Sequence, residues 1–132
     1  EAKMPDTKIN SGIGFRLTGG SGKPKGYQCE IMDAIPGKNG GGYGIGIGGW
    51  IYPAKGQEKE YQAKMKGLVK RDDWNRYRIH AVGKRIRIYL NDKLITDVEH
   101  NANLKGAFGI QHHGGEAGVM KFRNLRVQNL GT

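Results

Sequence analysis

Apolar and polar residues alternate with a period of two in several separate stretches of this chain. In one stretch Tyr77, Ile79 and Ala81 are separated by Arg78 and His80. Successive side chains of a β-strand point to opposite faces, so this period predicts strands with one buried and one hydrated face. The same pattern runs through residues 13–17, 27–32, 44–48, 85–90 and 122–127. A fold built mainly from strands follows.

Short turns rich in glycine separate these stretches. The chain has 23 glycines in 132 residues, and they are interleaved with Ile, Val and aromatic residues, which favours tight turns over disorder. Residues 82–84 and 91–93 each predict the turn of a hairpin, and residues 53–66 carry the only, weak, helical pattern. The sequence therefore predicts a single all-β domain over residues 1–132, an antiparallel sandwich or barrel.

The chain is strongly basic. It has 22 Lys and Arg against 12 Asp and Glu, a formal net charge of +10. Such a balance favours anionic partners, but these charges are spread along the chain and not packed in one block. We interpret them as a solvated basic surface in preference to a nucleic-acid site. Arg76, Arg78, Arg85 and Arg87 share one phase across a hairpin and predict a local basic ladder.

The single cysteine, the lack of a long apolar stretch and the first residue of the chain restrict the interpretation further. One cysteine excludes an internal disulfide, and the place of Cys29 in an alternating stretch predicts a small buried hydrophobic residue. No apolar stretch is long enough to span a membrane. The sequence opens at Glu1 without an initiator methionine, which we interpret as a processed, trimmed or incomplete chain.

Two motifs suggest ligand-binding sites, but their sequence context does not support either site. Residues 44–49 match the dinucleotide pattern G-x-G-x-x-G, but the residues from Trp50 to Pro53 that follow predict no helix to receive a phosphate. His112 and His113 are adjacent, so on a strand they point to opposite faces and cannot easily share one ion. The sequence shows no set of metal ligands.

A set of polar residues falls on the non-apolar phase of separate strands. Glu30 alternates with Cys29 and Ile31, so we expect its carboxylate on the hydrated face of a central strand, as an exposed charge, a salt bridge to Arg16 or a functional group. If the strands are neighbours, these residues form one polar surface suited to sugar hydroxyls. The set is Arg16, Gln28, Glu30, Gly44, Gly46, Gln111 and His113, with Tyr43, Trp50 and Tyr52 either stacking on a sugar or filling the core.

The order of several short segments narrows the interpretation. The segments are residues 10–16, 26–33, 43–44, 74–79, 83–91, 106–113 and 122–126. In this order they resemble the 3-keto-disaccharide hydrolase domain family, also described as a domain of unknown function. The resemblance covers nearly the whole chain and implies an antiparallel two-sheet sandwich, a concanavalin-like jelly roll.

The resemblance also implies a chemistry, the cleavage of 3-keto-glycosides. The ketone at C3 acidifies the C2 proton, so a base removes that proton and the glycosidic oxygen leaves by elimination. We hypothesise that Glu30 or His113 is this base, and that a divalent ion could stabilise the enolate. The residues expected to bind the sugar are Arg16, Gln28, Tyr43 and Gln111.

The chain departs from the family pattern in two ways. Family domains usually begin well before the Asn10 strand, so we expect an incomplete domain whose missing strands come from a longer chain or from another protein chain. The family also has Glu and Gln where this chain has Gln28 and Glu30. Two alternatives to an enzyme therefore stand, a non-catalytic glycan-binding module and a structural subunit of a larger assembly. The family's habit of export implies a periplasmic or extracellular location.

Overall fold

The structure is a computed structural model that describes residues 1–5, 9–19, 22–32, 38–112 and 118–130. These residues form antiparallel strands and one short helix, so the expected all-β sandwich is confirmed. The elements are β1 (Ala2–Lys3), β2 (Asn10–Thr18), β3 (Lys25–Met32), β4 (Gly42–Ile45), β5 (Gly49–Tyr52), α1 (Glu58–Met65), β6 (Trp74–Asn75), β7 (Tyr77–Val82), β8 (Arg85–Leu90), β9 (Lys93–Glu99), β10 (Ala107–Ile110) and β11 (Lys121–Phe122).

The largest sheet has five strands in the order β10-β2-β3-β4-β5. Its central strand β3 pairs with β2 on one side, where Glu30 lies opposite Gly12, and with β4 on the other, where Gln28 lies opposite Tyr43. The odd residues of β3 point into the core, and Tyr27 and Cys29 are at most 1% exposed. Its even residues point to the other face of the sheet, which carries the candidate site.

A second sheet, β7-β8-β9, covers the inner face of the first. Ile86 and Ile88 of β8 pack against Phe15, Tyr27 and Cys29, so the main core lies between β3 and β8. Burial raises the pKa of the Cys29 thiol, which confirms the expected role of this residue as a small buried hydrophobic group.

A third, small sheet joins the two ends of the described chain in the order β11-β1-β6. Ala2 pairs with Phe122 on one side and with Asn75 on the other. Ala2, Met4 and Ile31 form a small buried cluster beneath this sheet. Because β6 leads almost directly into β7, the small sheet continues one edge of the second sheet.

Helix α1 closes one end of the sandwich. Tyr61 and Met65 of this helix are buried against Tyr52, Leu90 and Ile95. The helix falls within residues 53–66, where the sequence shows its only helical pattern. No helix in the described part of the chain is long and apolar enough to cross a membrane.

The two hairpin predictions are confirmed and two strand predictions are wrong. Val82 pairs with Arg85 and Leu90 with Lys93, as the turn residues indicate. Residues 46–48 form a hairpin turn between β4 and β5 and do not continue β4. In the stretch 122–127 only Phe122 lies in a strand, because no described strand lies beside the residues that follow it to provide backbone partners.

Candidate functional site

The outer face of β3 carries Gln28 and Glu30. Their cross-strand partners on β2 are Gly14 and Gly12, so that neighbouring strand leaves space above the sheet. Gln28 uses this space and lies over Gly12. A Cβ atom at position 12 would be 2.6 Å from both Cγ and Cδ of Gln28, which is far closer than real contacts allow. The glycine in β2 therefore lets the Gln28 side chain lie flat against the sheet.

Amide groups hold the Glu30 carboxylate from both sides. Gln28 Nε2 donates to Glu30 Oε1 at 3.0 Å and to Gln111 Oε1 at 3.0 Å, and Asn10 Nδ2 donates to Glu30 Oε2 at 3.3 Å. Gln28 and Glu30 are 7% and 6% exposed. We call Asn10, Gln28, Glu30 and Gln111 the Glu30 cluster. Protein amides take the place of water around this carboxylate, which fixes its orientation.

An aromatic pair borders the Glu30 cluster. Tyr43 lies opposite Gln28 on β4 and shares its face of the sheet, and its ring meets the ring of Trp50 edge-on at a centroid distance of 5.1 Å. Lys38 Nζ lies 4.3 Å from the centre of the Trp50 ring. Trp50 also packs on Gly41, whose carbonyl accepts a hydrogen bond from the backbone N–H of Glu30. We call Tyr43 and Trp50 the aromatic wall. Together with the Lys38 ammonium, it stands beside the buried carboxylate.

A groove of about 390 Å³ adjoins the cluster at its other side. Asn10 and Gln111 line it together with the exposed His112 and the apolar residues Ile110 and Val119. Ser11 fixes this end of the sheet, since its hydroxyl donates to the carbonyl of Gln111 at 2.8 Å. A volume of this size accommodates a small ligand.

Glu30 lies on the predicted face of β3, opposite the core. The prediction that this face leaves its side chain hydrated is wrong. The carboxylate lies on the face opposite the core, yet the neighbouring amides enclose it. The expected salt bridge partner, Arg16, points elsewhere. The register shifts between Phe15 and Thr18, Arg16 has a φ of +51°, and its Nη1 donates to the carbonyl of Gly83 at 2.6 Å in the β7–β8 turn. The structure thus places Arg16 against the second sheet and apart from the Glu30 cluster.

The other residues expected in the polar surface separate into three groups. Gln28, Gln111 and Tyr43 join Glu30 as expected. Gly44 pairs with the inward-facing Tyr27 and so belongs to the opposite face, and Gly46 lies in a turn. His113 lies outside the described residues.

Sequence reasoning missed Asn10 and Gly12 as parts of the site. The alternation that starts at Ile13 extends back to them, since Asn10, Gly12 and Gly14 occupy the same phase. That signal places both residues on the face of Glu30, but it does not reveal the hydrogen bond or the close approach. Within the ranges that the structure describes, no group of three or more His, Cys, Asp or Glu side chains could hold a metal ion.

The fold and the cluster define a class of protein: an antiparallel β-sandwich with an enclosed carboxylate and an aromatic wall on the outer face of its larger sheet. The family model of the 3-keto-alpha-glucoside-1,2-lyase-like domain matches residues 1–128, so the chain belongs to this family and the resemblance seen in the sequence is confirmed. No curated protein matches the chain. Membership of this family supports a carbohydrate-active role and fits a carbohydrate ligand.

Proposed function

We propose that this protein cleaves 3-keto-glycosides by elimination and that Glu30 is the base. The carboxylate of Glu30 removes the proton from C2, which lies beside the C3 ketone. The electron pair of that C–H bond first passes into the C3 ketone and forms an enolate. As the enolate collapses, a double bond forms between C1 and C2 and the bond from C1 to the glycosidic oxygen breaks. The departing oxygen takes up a proton and leaves as an alcohol, and water can then add to the double bond. The reaction needs no oxidant or reductant.

The observation that carries this proposal is the way the carboxylate is held. Gln28 and Asn10 each donate to a different oxygen of Glu30, so the base has a fixed position beside the aromatic wall. Fixing a base in this manner lowers the entropy cost of the proton transfer. Gln28 is then a positioning residue, since both hydrogens of its Nε2 are already donated, to Glu30 and to Gln111.

Gln111 has a different role in this proposal. Its Oε1 accepts from Gln28, whereas its Nε2 donates to no partner among the described residues. An amide N–H in this position is suited to donate to the ketone oxygen, where negative charge develops as the C2 proton leaves. Tyr43 and Trp50 would contact the apolar face of the sugar ring. His113 remains the alternative base in our proposal, and Arg16 does not take part.

The substitution Glu30→Gln tests the proposal because it keeps the shape of the side chain and removes the base. We expect the turnover of a chromogenic 3-keto-α-glucoside to fall by about 100-fold or more, the contribution typical of a general base. Binding of the substrate should change much less. The exchange of the C2 proton with deuterated water, followed by NMR, should stop in the same variant.

Glu99→Gln is the matched control, since Glu99 is an exposed carboxylate on β9 that forms an ion pair with the exposed Lys84, 3.5 Å away. It should retain full turnover. If Glu30→Gln retains it as well, Glu30 is not the base and His113 becomes the residue to test.

A second candidate function rests on the enclosure of Glu30. Both carboxylate oxygens already accept hydrogen bonds and the residue is only 6% exposed, which also suits a cluster that shapes a binding surface without reacting. In that case the protein is a glycan-binding module. It would be retained on an immobilised glycan, release no sugar from 3-keto-glycosides, and lose glycan affinity when Tyr43 or Trp50 is replaced by alanine.

A further inference from the structure

The outer face of the second sheet is the surface of the sandwich opposite the Glu30 cluster. The isoleucines of β8 are buried in the core, so Arg87 and Tyr89, which alternate with them, point away from it. The register of the β7–β8 hairpin adds two residues to this face, because His80 lies opposite Arg87 and Arg78 lies opposite Tyr89. The hairpin thus presents a mainly basic outer surface.

These four side chains form one contiguous group. The guanidinium carbon of Arg78 lies 4.3 Å from the centre of the Tyr89 ring. The rings of Tyr89 and His80 meet edge-on at a centroid distance of 6.4 Å, and Nη2 of Arg87 lies 3.5 Å from Nδ1 of His80. Because a guanidinium group only donates, Nδ1 accepts and the imidazole proton lies on Nε2. We call Arg78, His80, Arg87 and Tyr89 the basic block.

The acidic residues of the neighbouring strand β9 are paired with other cations. Asp97 lies directly opposite Arg87, but its two oxygens accept from Arg85, from Nε at 3.1 Å and from Nη2 at 3.0 Å. Glu99 lies opposite Arg85 and forms an ion pair with Lys84 at 3.5 Å. Arg87 therefore has no carboxylate of its own.

The cations of the basic block lack an anionic partner in the part of the chain that the structure describes. No ion pair there involves Arg78, His80 or Arg87. Nε of Arg87 is buried and makes no hydrogen bond within the same ranges. A guanidinium group offers a planar fork of donors that matches a carboxylate, and cations held side by side repel each other until an anion joins them. The basic block is therefore suited to bind an anion.

The surroundings of the basic block favour an acidic polysaccharide over a nucleic acid. Single-stranded nucleic acids bind by stacking their bases on open aromatic rings, and Arg78 already lies over the ring of Tyr89. The carboxylates of a sugar chain need only charged donors at the surface, which the basic block supplies. Membership of the family fits a carbohydrate ligand as well.

We propose that the basic block binds the carboxylate groups of an acidic polysaccharide built from uronic acids. The guanidinium groups of Arg78 and Arg87 donate to sugar carboxylates, and Nε2 of His80 and the hydroxyl of Tyr89 contact neighbouring hydroxyl groups. Because the Glu30 cluster lies on the opposite surface of the sandwich, both sites can be occupied together. This inference does not depend on the proposed cleavage reaction.

The test is a fluorescence anisotropy titration of the 132-residue protein with a labelled oligogalacturonate at physiological ionic strength. Three comparison ligands are used: the same oligosaccharide with its carboxylates methyl-esterified, a polyglutamate peptide and a single-stranded DNA, the last two with the same number of charges. We expect the oligogalacturonate to bind at least about tenfold more tightly than each of them. Equal or tighter binding of any comparison ligand would overturn the proposal.

Substitutions of arginine distinguish the basic block from general basic attraction. Arg78→Gln removes an exposed cation of the block, and Arg126→Gln removes an exposed cation outside the second sheet, so both change the net charge equally. We expect Arg78→Gln to weaken oligogalacturonate binding by about tenfold and Arg126→Gln to weaken it by less than about twofold. Arg78→Lys keeps the charge without the planar fork and should recover only part of the affinity. Equal losses in Arg78→Gln and Arg126→Gln would overturn the proposal, since the net charge of +10 would then explain the attraction.

Discussion

Gly12 determines where the side chain of Gln28 can lie. Because Gly12 has no Cβ, Gln28 can lie against the backbone of β2 and reach both Glu30 and Gln111. Gly12→Ala places a methyl group 2.6 Å from two carbons of Gln28. We expect the glutamine to be displaced, the free energy of unfolding to fall by about 1–3 kcal/mol as in other overpacked sites, and the proposed turnover to drop. Urea unfolding and kinetic assays measure the two effects.

Gly42→Ala is the matched control for this substitution. Gly42 is also a strand residue of the larger sheet, and a Cβ there would be 3.6 Å from Cγ2 of Thr96, an ordinary van der Waals contact. We expect a small change in stability and an unchanged Glu30 cluster. Equal losses in the two alanine variants would show that Gly12 has no special relation to Gln28.

The sequence could predict the face of Glu30 but not its surroundings. Alternation with Cys29 and Ile31 suffices to place its carboxylate opposite the core. Enclosure depends on cross-strand partners, and a single sequence does not state that Gly12 lies opposite Glu30. The prediction that Arg16 lies on the face of Glu30 fails for a similar reason. One irregular residue in β2 reverses the alternation of side chains on which that prediction depended.

At the scale of elements, one buried side chain ties helix α1 to the sheets. Asn39 is fully buried, and its Oδ1 and Nδ2 bond to the backbone N–H and carbonyl of Met32 at the end of β3. Tyr61 of α1 donates to the carbonyl of Asn39 at 2.7 Å, and Tyr77 of β7 donates to its Oδ1 at 2.9 Å. The segment that leads from Asn39 to the aromatic wall is therefore anchored at three points.

Tyr61→Phe removes one of these anchors without changing the packing of the ring. The carbonyl of Asn39 would lose a donor in a buried place, so we expect the free energy of unfolding to fall by about 1–3 kcal/mol. Tyr89→Phe is the control, since the Tyr89 ring packs under Arg78 and phenylalanine preserves that contact. Chemical denaturation measures both. A Tyr61→Phe protein as stable as the parent would contradict the anchoring role of the hydroxyl.

Whether the sequence predicts a strand depends on where in the chain its pairing strand lies. β7, β8 and β9 pair through short turns, so local sequence contains both the alternation and the connection. Residues 122–127 alternate as well, yet a strand also needs a neighbour, and the described chain provides one only as far as Arg123, which pairs with Glu1. At residues 44–48 the glycines allow a turn, and the turn joins β4 to β5.

At the scale of the whole molecule, the surface charges make stability depend on pH. Arg85 Nε and Nη2 donate to the two oxygens of Asp97 at 3.1 and 3.0 Å, and these bonds lower the pKa of Asp97 below its usual 3.8. The unfolded chain therefore binds a proton at a higher pH than the folded one. The stabilisation is complete above about pH 4 and is lost as the pH falls through the pKa of the folded state.

We expect Asp97→Asn to make the thermal midpoint less sensitive to acid. Midpoints measured between about pH 2 and pH 6 should fall less steeply in this variant than in the parent. Asp72→Asn is the control, because no salt bridge of the described residues involves Asp72. The explanation fails if the profile of Asp97→Asn remains parallel to that of the parent.

The two sheets of the sandwich overlap only in part. β8 lies over β3, whereas β10 carries Gln111 of the Glu30 cluster near its end and exposes Phe108 and Ile110 on its inner face. The expectation that further strands belong beside this sandwich stays a prediction. A periplasmic or extracellular location stays a prediction.

The burial of Cys29 has a practical consequence. The chain contains a single thiol, it is 0% exposed, and burial raises its pKa, so the reactive thiolate is scarce in the folded protein. A cysteine introduced at an exposed position such as Leu104 would be the one that takes a fluorescent or spin label, with no need to remove Cys29 first. The rate at which a maleimide modifies Cys29 then reports how often the two sheets separate, because the thiol reacts only when the core opens.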